Sequence, residues 1–164
     1  MKTPQVDLRY AEPSDVSLLK EWLVDAESKH WLTLTTAQEI ECTASGWMGM
    51  VPYGAVLTAT IQGKPCGMGI LFLMPYKKIA HHAQAQLIVA PKWRRQGVGA
   101  SLIKNLKNLG KKYFNLQLVH IELVEGHPFV RCLLQEGFVI SLEQEKFFKF
   151  GKKYRARLVY EVTL

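Results

Sequence analysis

The residues best suited to chemistry lie in the run Leu87-Ile88-Val89-Ala90-Pro91-Lys92-Trp93-Arg94-Arg95-Gln96-Gly97-Val98-Gly99-Ala100. An apolar stretch ends at a proline, a basic segment carrying two glycines follows, and a helical pattern begins. The first N–H groups of a helix have no internal acceptors, and the helix dipole adds partial positive charge there. Gly97 and Gly99 leave the main chain open to close approach, and Arg94 and Arg95 add full charges. These residue types in this order form a cradle for a pyrophosphate. The alternative is an ordinary strand-to-helix turn whose glycines only relieve crowding. The run is not a P-loop, because the lysine and hydroxyl that follow the second P-loop glycine are missing. With two glycines one residue apart, it is not the three-glycine dinucleotide fingerprint either.

A second run, Lys146-Phe147-Phe148-Lys149-Phe150-Gly151-Lys152-Lys153-Tyr154-Arg155-Ala156-Arg157, holds six bases in twelve residues, interleaved with aromatics. Basic and aromatic residues in alternation can hold single-stranded nucleic acid or an acidic ribosomal surface. The alternative is a β-hairpin with an aromatic inner face and charges outside that protect a sheet edge. The run reads as strand rather than amphipathic helix, which argues against a membrane-surface role.

Two helices and a β region must come before the glycine loop. Val6 to Tyr10 alternates as a short strand. Ser14 stands as an N-cap before Val16, Leu19, Leu23 and Ala26 at helical spacing. Thr36-Ala37-Gln38-Glu39 fits a capping box opening a second helix. Strands are expected over Ala55 to Ile61 and Lys64 to Met74, joined through Gln62-Gly63, and over Ala83 to Ala90. From Gly97 the period changes: Val98, Leu102, Ile103, Leu106 and Leu109 mark one helix face, with Gly110 as the expected C-terminal cap. Phe114 to Val124 reads as strand and Phe129 to Gln135 as a short helix closed by Gly137. Phe138 onward and Tyr154 to Val162 read as the last two strands. The order β-α-α-β-β-β-α-β-α-β-β predicts an α/β fold: a mixed, mostly antiparallel central sheet of about seven strands with four helices. The strand pair around residue 97 should be parallel.

Composition agrees with a single domain spanning 1–164. The 164 residues are 48% hydrophobic and 21% charged, which suits a packed core and excludes an unfolded chain. No apolar run approaches the ~20 residues a bilayer span needs. The amino terminus, Met1-Lys2-Thr3-Pro4-Gln5-Val6-Asp7, lacks the apolar core of a secretory signal, so a cytoplasmic location is expected for a bacterial source. Cys42, Cys66 and Cys132 are widely spaced with no CxxC, so neither a disulfide scaffold nor a zinc ribbon is expected, and no metal. Net charge is +7 and uneven. Residues 1–41 hold eight acids and four bases, against six acids and seventeen bases in 42–164. The carboxy-terminal three quarters therefore suit an anionic partner: a polyphosphate cofactor, an acidic protein or a nucleic acid.

Arg94-Arg95-Gln96-Gly97-Val98-Gly99 resembles the R/Q-x-x-G-x-G/A signature of the GCN5-related N-acetyltransferases. Leu87-Ile88-Val89-Ala90-Pro91 resembles the fourth strand of that family. Leu133-Leu134-Gln135-Glu136-Gly137-Phe138 resembles its late helix leading into a Gly-Phe pair, and the element order matches end to end. The resemblance implies an N-acyltransferase that takes acetyl-CoA, or another acyl-CoA, as donor and transfers directly in a ternary complex. It places the pantetheine against the backbone of Leu87 and Val89. It places the pyrophosphate on Arg94, Arg95, Gln96, Gly97, Val98, Gly99 and Ala100.

Acyl transfer to an amine needs a neutral nucleophile. For a lysine-like amine of pKa ~10.4, losing a proton at pH 7 costs about 4–5 kcal/mol, so a base must accept it. Many family members carry a glutamate base on the fourth strand; that position is Ala83 here. His82 and His81 are the substitutes, at most one of them facing the cleft, and Glu122 on the fifth strand is the second candidate. Inert surface residues are the alternative for all three. The position of the family's tyrosine acid is Leu133, with Cys132 and His127 nearby but off the spacing; solvent would then protonate the thiolate. Cys132 itself reads as a small buried hydrophobe.

The first two helices line the acceptor cleft in this family. Glu27, His30, Trp31, Glu39 and Glu41 fall there, and acids beside aromatics suit a cationic amine. The expected partner is therefore an amine acceptor, small molecule or protein. The second hypothesis is a non-catalytic basic or CoA-sensing module that contacts RNA or the ribosome through 146–157. No membrane partner is expected, and both monomer and homodimer are compatible with the sequence.

Overall fold

The computed structural model describes residues 4–164, so Met1-Lys2-Thr3 at the start of the amino-terminal stretch lie outside the described residues. Seven strands form one sheet in the order β1-β2-β3-β4-β5-β7-β6. They are β1 (Asp7–Tyr10), β2 (Val56–Ile61), β3 (Lys64–Leu73), β4 (His82–Val89), β5 (Leu118–Val124), β6 (Val139–Phe150) and β7 (Lys153–Thr163). Five α-helices accompany them: α1 (Val16–Leu23), α2 (Ala26–Trp31), α3 (Ala37–Gly49), α4 (Val98–Lys112) and α5 (Val130–Gln135). Among the described residues no helix is long and apolar enough to cross a membrane.

The expected four helices are thus five, because the first divides. α1 ends at Leu23, and the Asp25 carboxylate accepts the Ser28 N–H at 3.1 Å, capping a new helix. Gly110 does not cap α4, which continues to Lys112. A Cβ on Gly110 would stand 3.2 Å from Leu116 and 3.3 Å from Leu164, so the glycine serves packing. The strand expected from Phe114 begins only at Leu118, after Asn115 turns through φ 52°. The capping box at Thr36 is present: Glu39 accepts the Thr36 N–H at 2.8 Å, and Thr36 Oγ1 accepts the Glu39 N–H at 3.2 Å.

Each sheet face has its own core. On one side Leu102, Ile103 and Leu106 of α4 cover Ala83, Ala85, Val119 and Ile121, joined by Leu133 and Phe138. On the other, Leu19, Trp22, Ile40 and Trp47 cover Val56, Met68, Ile70 and Ile88. α4 lies close because β3 carries glycines under it. A Cβ on Gly67 would meet the Ile88 carbonyl at 2.9 Å and Val98 at 3.1 Å; one on Gly69 would meet Leu106 at 2.9 Å.

Every neighbouring strand pair is antiparallel except β4–β5. That parallel pair holds only His82↔Leu118, Ala83↔Val119 and Gln84↔His120 before the strands separate. β4 continues along β3 to Val89, and β5 continues along β7 to Val124. From Ala85 to Val89 the β4 edge turned toward β5 therefore has no strand partner among the described residues, and the sheet opens as a wedge.

Gly67→Ala should lower the thermal midpoint by about 4–8 °C, the effect of roughly 2 kcal/mol of overpacking in a chain this size. Calorimetric unfolding measures it, and an unchanged midpoint would mean that β3 and α4 are less tightly packed than described.

Candidate active site

The wedge holds a cleft of about 610 Å³. Leu87, Ile88 and Val89 form its strand wall, and Arg94, Arg95, Gly97, Gly99 and Ala100 lie at the start of α4. Opposite stand Trp31 and Leu32, with His127 and Phe129 from the segment leading into α5 and Arg131 and Cys132 from its first turn. A smaller cavity of about 150 Å³ lies between Gln84 and Gln86 of β4, Ile121 to Val124 of β5, Trp31 to Thr33, and Phe147 and Phe148 of β6. Trp31, Leu32, Leu87, His127 and Phe129 line both, so the two spaces meet where the strands separate.

The loop is built to expose main-chain N–H groups. Gly97 caps α4 at φ 85° and has no side chain to close the helix end. Ser101 is the first residue of the helix to bond back to it, at 3.0 Å, so the N–H groups of Val98, Gly99 and Ala100 have no helical acceptor. Arg95 is held at φ 62°, adding a second left-handed residue to the turn. Gly99 does a different job from the one its spacing suggests. A Cβ there would stand 2.9 Å from the Phe129 ring, so the glycine makes room for that ring.

Arg94 turns away from the cleft's charge balance. Its guanidinium donates to Glu27 at 2.6 Å, Asp25 at 2.7 Å and Ser28 Oγ at 2.9 Å. The Arg94 hydrogen bond is the main reason the Asp25 carboxyl lies below its usual range. The same Asp25 that starts α2 thus ties that helix to the glycine loop. The cations left to face an anion are Arg95 and Arg131, exposed and without carboxylate partners among the described residues.

His127 occupies the junction. Its Nδ1 accepts the Phe129 N–H at 3.0 Å, which puts the proton of the neutral ring on Nε2. Burial, and to a lesser degree His30, pushes its pKa down to about 4. The ring lies tilted at 4.7 Å from Trp31, which meets His30 at 4.5 Å, which meets Phe150 at 5.2 Å. Cys132 nearby stays a thiol, since burial and then Glu136 push its pKa up.

In the smaller cavity Glu122 is the one carboxylate. It pairs with Arg157, which also donates to Gln144 Oε1 at 2.9 Å and stacks 4.9 Å from Phe147. Gln86 accepts the Trp47 indole N–H at 3.2 Å. His81 and His82 line neither space. They stand at the closed end of the wedge, with rings 5.1 Å apart, and His82 lies 5.5 Å from His120; His82 Nδ1 is buried without a partner among the described residues.

A family model described as "Acetyltransferase (GNAT) domain" matches residues 52–139, more than half of the chain. The chain belongs to the GCN5-related N-acetyltransferase superfamily. Solved GNAT folds superpose along nearly all of its length at low identity. A putative acetyltransferase, yncA from Salmonella typhimurium, solved with acetyl-CoA, gives a TM-score of 0.78 at 13% identity, covering 96% of this chain and 93% of that one. A ribosomal-protein-alanine N-acetyltransferase from Brucella melitensis gives 0.80 at 18%, covering 96% and 99%. A GCN5-related N-acetyltransferase from Kribbella flavida gives 0.77 at 20%, covering 97% and 98%. No curated protein matches the chain.

Within this GNAT fold, Leu87, Val89, Arg94, Arg95, Gly97, Gly99 and Ala100, the positions the resemblance implies, all line the large cleft. Gln96 and Val98 do not line it. The Gln96 amide donates to the Lys92 carbonyl at 3.0 Å, and the Val98 side chain is buried, leaving only its N–H at the helix end. The acids expected at the acceptor lip are engaged elsewhere: Glu27 with Arg94, Glu39 with the α3 cap, and Glu41 with Lys20 at 2.6 Å. Sequence reasoning missed His127 as a site residue, and Arg131, Gln84 and Gln86 altogether. For the two glutamines the one sequence signal was alternation, which puts Gln84, Gln86 and His82 on one β4 face.

His127 should titrate near pH 4 and carry its proton on Nε2 at neutral pH, read by long-range proton–nitrogen NMR correlation. Its ordinary pKa is 6.5, so below that value the unfolded chain binds a proton that the folded one refuses. Its contribution to stability is therefore lost progressively as pH falls from about 6.5 to about 4. A midpoint near 6.5 would contradict the buried acceptor geometry.

Proposed function

We propose that the protein is an acetyl-CoA-dependent N-acetyltransferase acting on a primary amine by direct transfer. The observation that carries the proposal is the meeting of the two cavities at Leu87, His127 and Phe129, beneath an open strand edge and a helix start with free N–H groups. An open edge pairs with an extended, amide-bearing arm much as it would with a strand. The pantetheine arm of CoA fits that description, and its pyrophosphate suits the N–H groups of Val98 to Ala100 flanked by Arg95 and Arg131. When bound, this donor supplies a thioester-activated acetyl group.

The residues divide the remaining work. Leu87 and Val89 offer backbone groups that fix the arm along β4. Trp31, Phe147 and Phe148 form an aromatic wall that receives a cationic amine, and Glu122 balances its charge. The amine must shed a proton before it attacks, and Glu122 takes it through water and passes it to solvent. The new carbon–nitrogen bond forms as the carbon–sulfur bond breaks. Of the two protons lost by the ammonium, one reaches solvent and the other ends on the thiol. His127 is neutral at working pH, so it is not the acid. Its Nε2–H instead donates to negative charge developing at the junction of the cavities, held in aim by the Nδ1 bond to Phe129.

His127→Ala should lower kcat by about 10²-fold, the usual loss for one donor to developing charge, while acetyl-CoA affinity changes less than about twofold. A thiol-release assay over a panel of amines, paired with calorimetry of the donor, measures both. Equal loss of donor binding would place His127 in the cradle, and unchanged kcat would remove it from the reaction.

A further inference from the structure

The rim of the amine cavity has a sign opposite to that of its lining. β7 pairs with β5 as far as Val124↔Arg157, which carries the β6–β7 tip past the open end of the wedge. The Phe150 contact with His30 seats that tip against α2. Phe147 and Phe148 both line the small cavity, which a regular strand forbids, because successive side chains face opposite ways. The register shift between Gln144 and Phe148, with Lys146 at φ 55°, lifts the rule. The hairpin is therefore shaped to wall the amine site, and its charges come with it.

Lys146, Lys149, Lys152, Lys153 and Arg155 are without carboxylate partners among the described residues, and Arg155 spends one donor on the Glu125 carbonyl at 3.1 Å. Glu143 lies on β6 before the bulge and Glu145 at its start, beside Lys146, and no acid falls within 146–157. Inside the cavity the one carboxylate, Glu122, is already shared with Arg157. A polyamine would meet a cationic rim and find no second anion, and 150 Å³ admits a slender group only.

We propose that the acceptor is an amine borne by an acidic protein segment, whose carboxylates dock on the basic β6–β7 tip while a single lysine side chain or amino terminus enters the cavity. The proposal rests on acetyl transfer being the activity. Complementary charge of this kind acts through encounter and orientation, so its effect is salt-dependent.

The test uses the full chain, acetyl-CoA and three short synthetic peptides with one central lysine, flanked by Glu, by Ser or by Arg. At about 50 mM salt the acidic peptide should exceed the Ser-flanked one at least about tenfold in kcat/KM, and the advantage should shrink severalfold at about 500 mM. The triple change Lys149→Glu, Lys152→Glu and Lys153→Glu should reverse that order while leaving turnover of the Ser-flanked peptide within about twofold. The corresponding Gln triple should abolish the preference without reversing it. Equal kcat/KM for all three peptides overturns the docking proposal and leaves the transferase standing. Preference for the Arg-flanked peptide, or oligouridine bound so that no acidic peptide displaces it, also overturns it. Donor binding without turnover of any peptide or small amine overturns the transferase reading and the docking proposal together.

Discussion

A backbone edge without a partner governs this molecule. Main-chain N–H and C=O groups withdrawn from water need partners, and sheets exist largely to supply them. β4 and β5 satisfy each other over three residue pairs and then diverge, each held by its neighbour on the far side. The divergence leaves β4 open beside the start of α4, whose own first N–H groups are unpaired. Two kinds of unsatisfied backbone are thus brought together at one place, and both cavities are consequences of that opening.

Holding the wedge open takes packing on both sides. Glycines at 67 and 69 let α4 sit close enough to β3 that its first turn meets the end of β4. Gly99 lets the Phe129 ring press against α4, which brings the α5 lead-in, and His127 with it, to the mouth of the wedge. On the opposite side the Arg94 clamp ties α2 to the glycine loop through Asp25, Glu27 and Ser28. The Asp25 carboxylate starts α2 and, through Arg94, anchors it to the glycine loop. The aromatic row from Phe150 through His30 and Trp31 to His127 then joins hairpin, α2 and α5 lead-in across the opening.

What could be read from the sequence is what local rules govern. Alternation located the strands, the Thr36–Glu39 box located α3, and the basic glycine segment located the cleft. Long-range partners were beyond those rules. Nothing near Arg94 says that its charge is spent on residues 67 and 69 positions earlier. His127 takes its importance from burial and from one backbone N–H, neither of which spacing reveals. Phe147 and Phe148 share a cavity because a bulge breaks the period of two, and a bulge is a tertiary fact. Asp25 and Ser28 did carry a local signal, an N-cap three residues before a hydroxyl, and the helical spacing that runs on to Ala26 obscured it.

If the open β4 edge and the α4 start together receive one extended donor, its binding must cover both segments at once. Amide hydrogen exchange with and without acetyl-CoA tests it most directly. Strong added protection is expected, confined to Ala85–Val89 and Gly97–Ala100, with β1 and β2 unchanged. Saturable binding that leaves those two segments exchanging as before would contradict it.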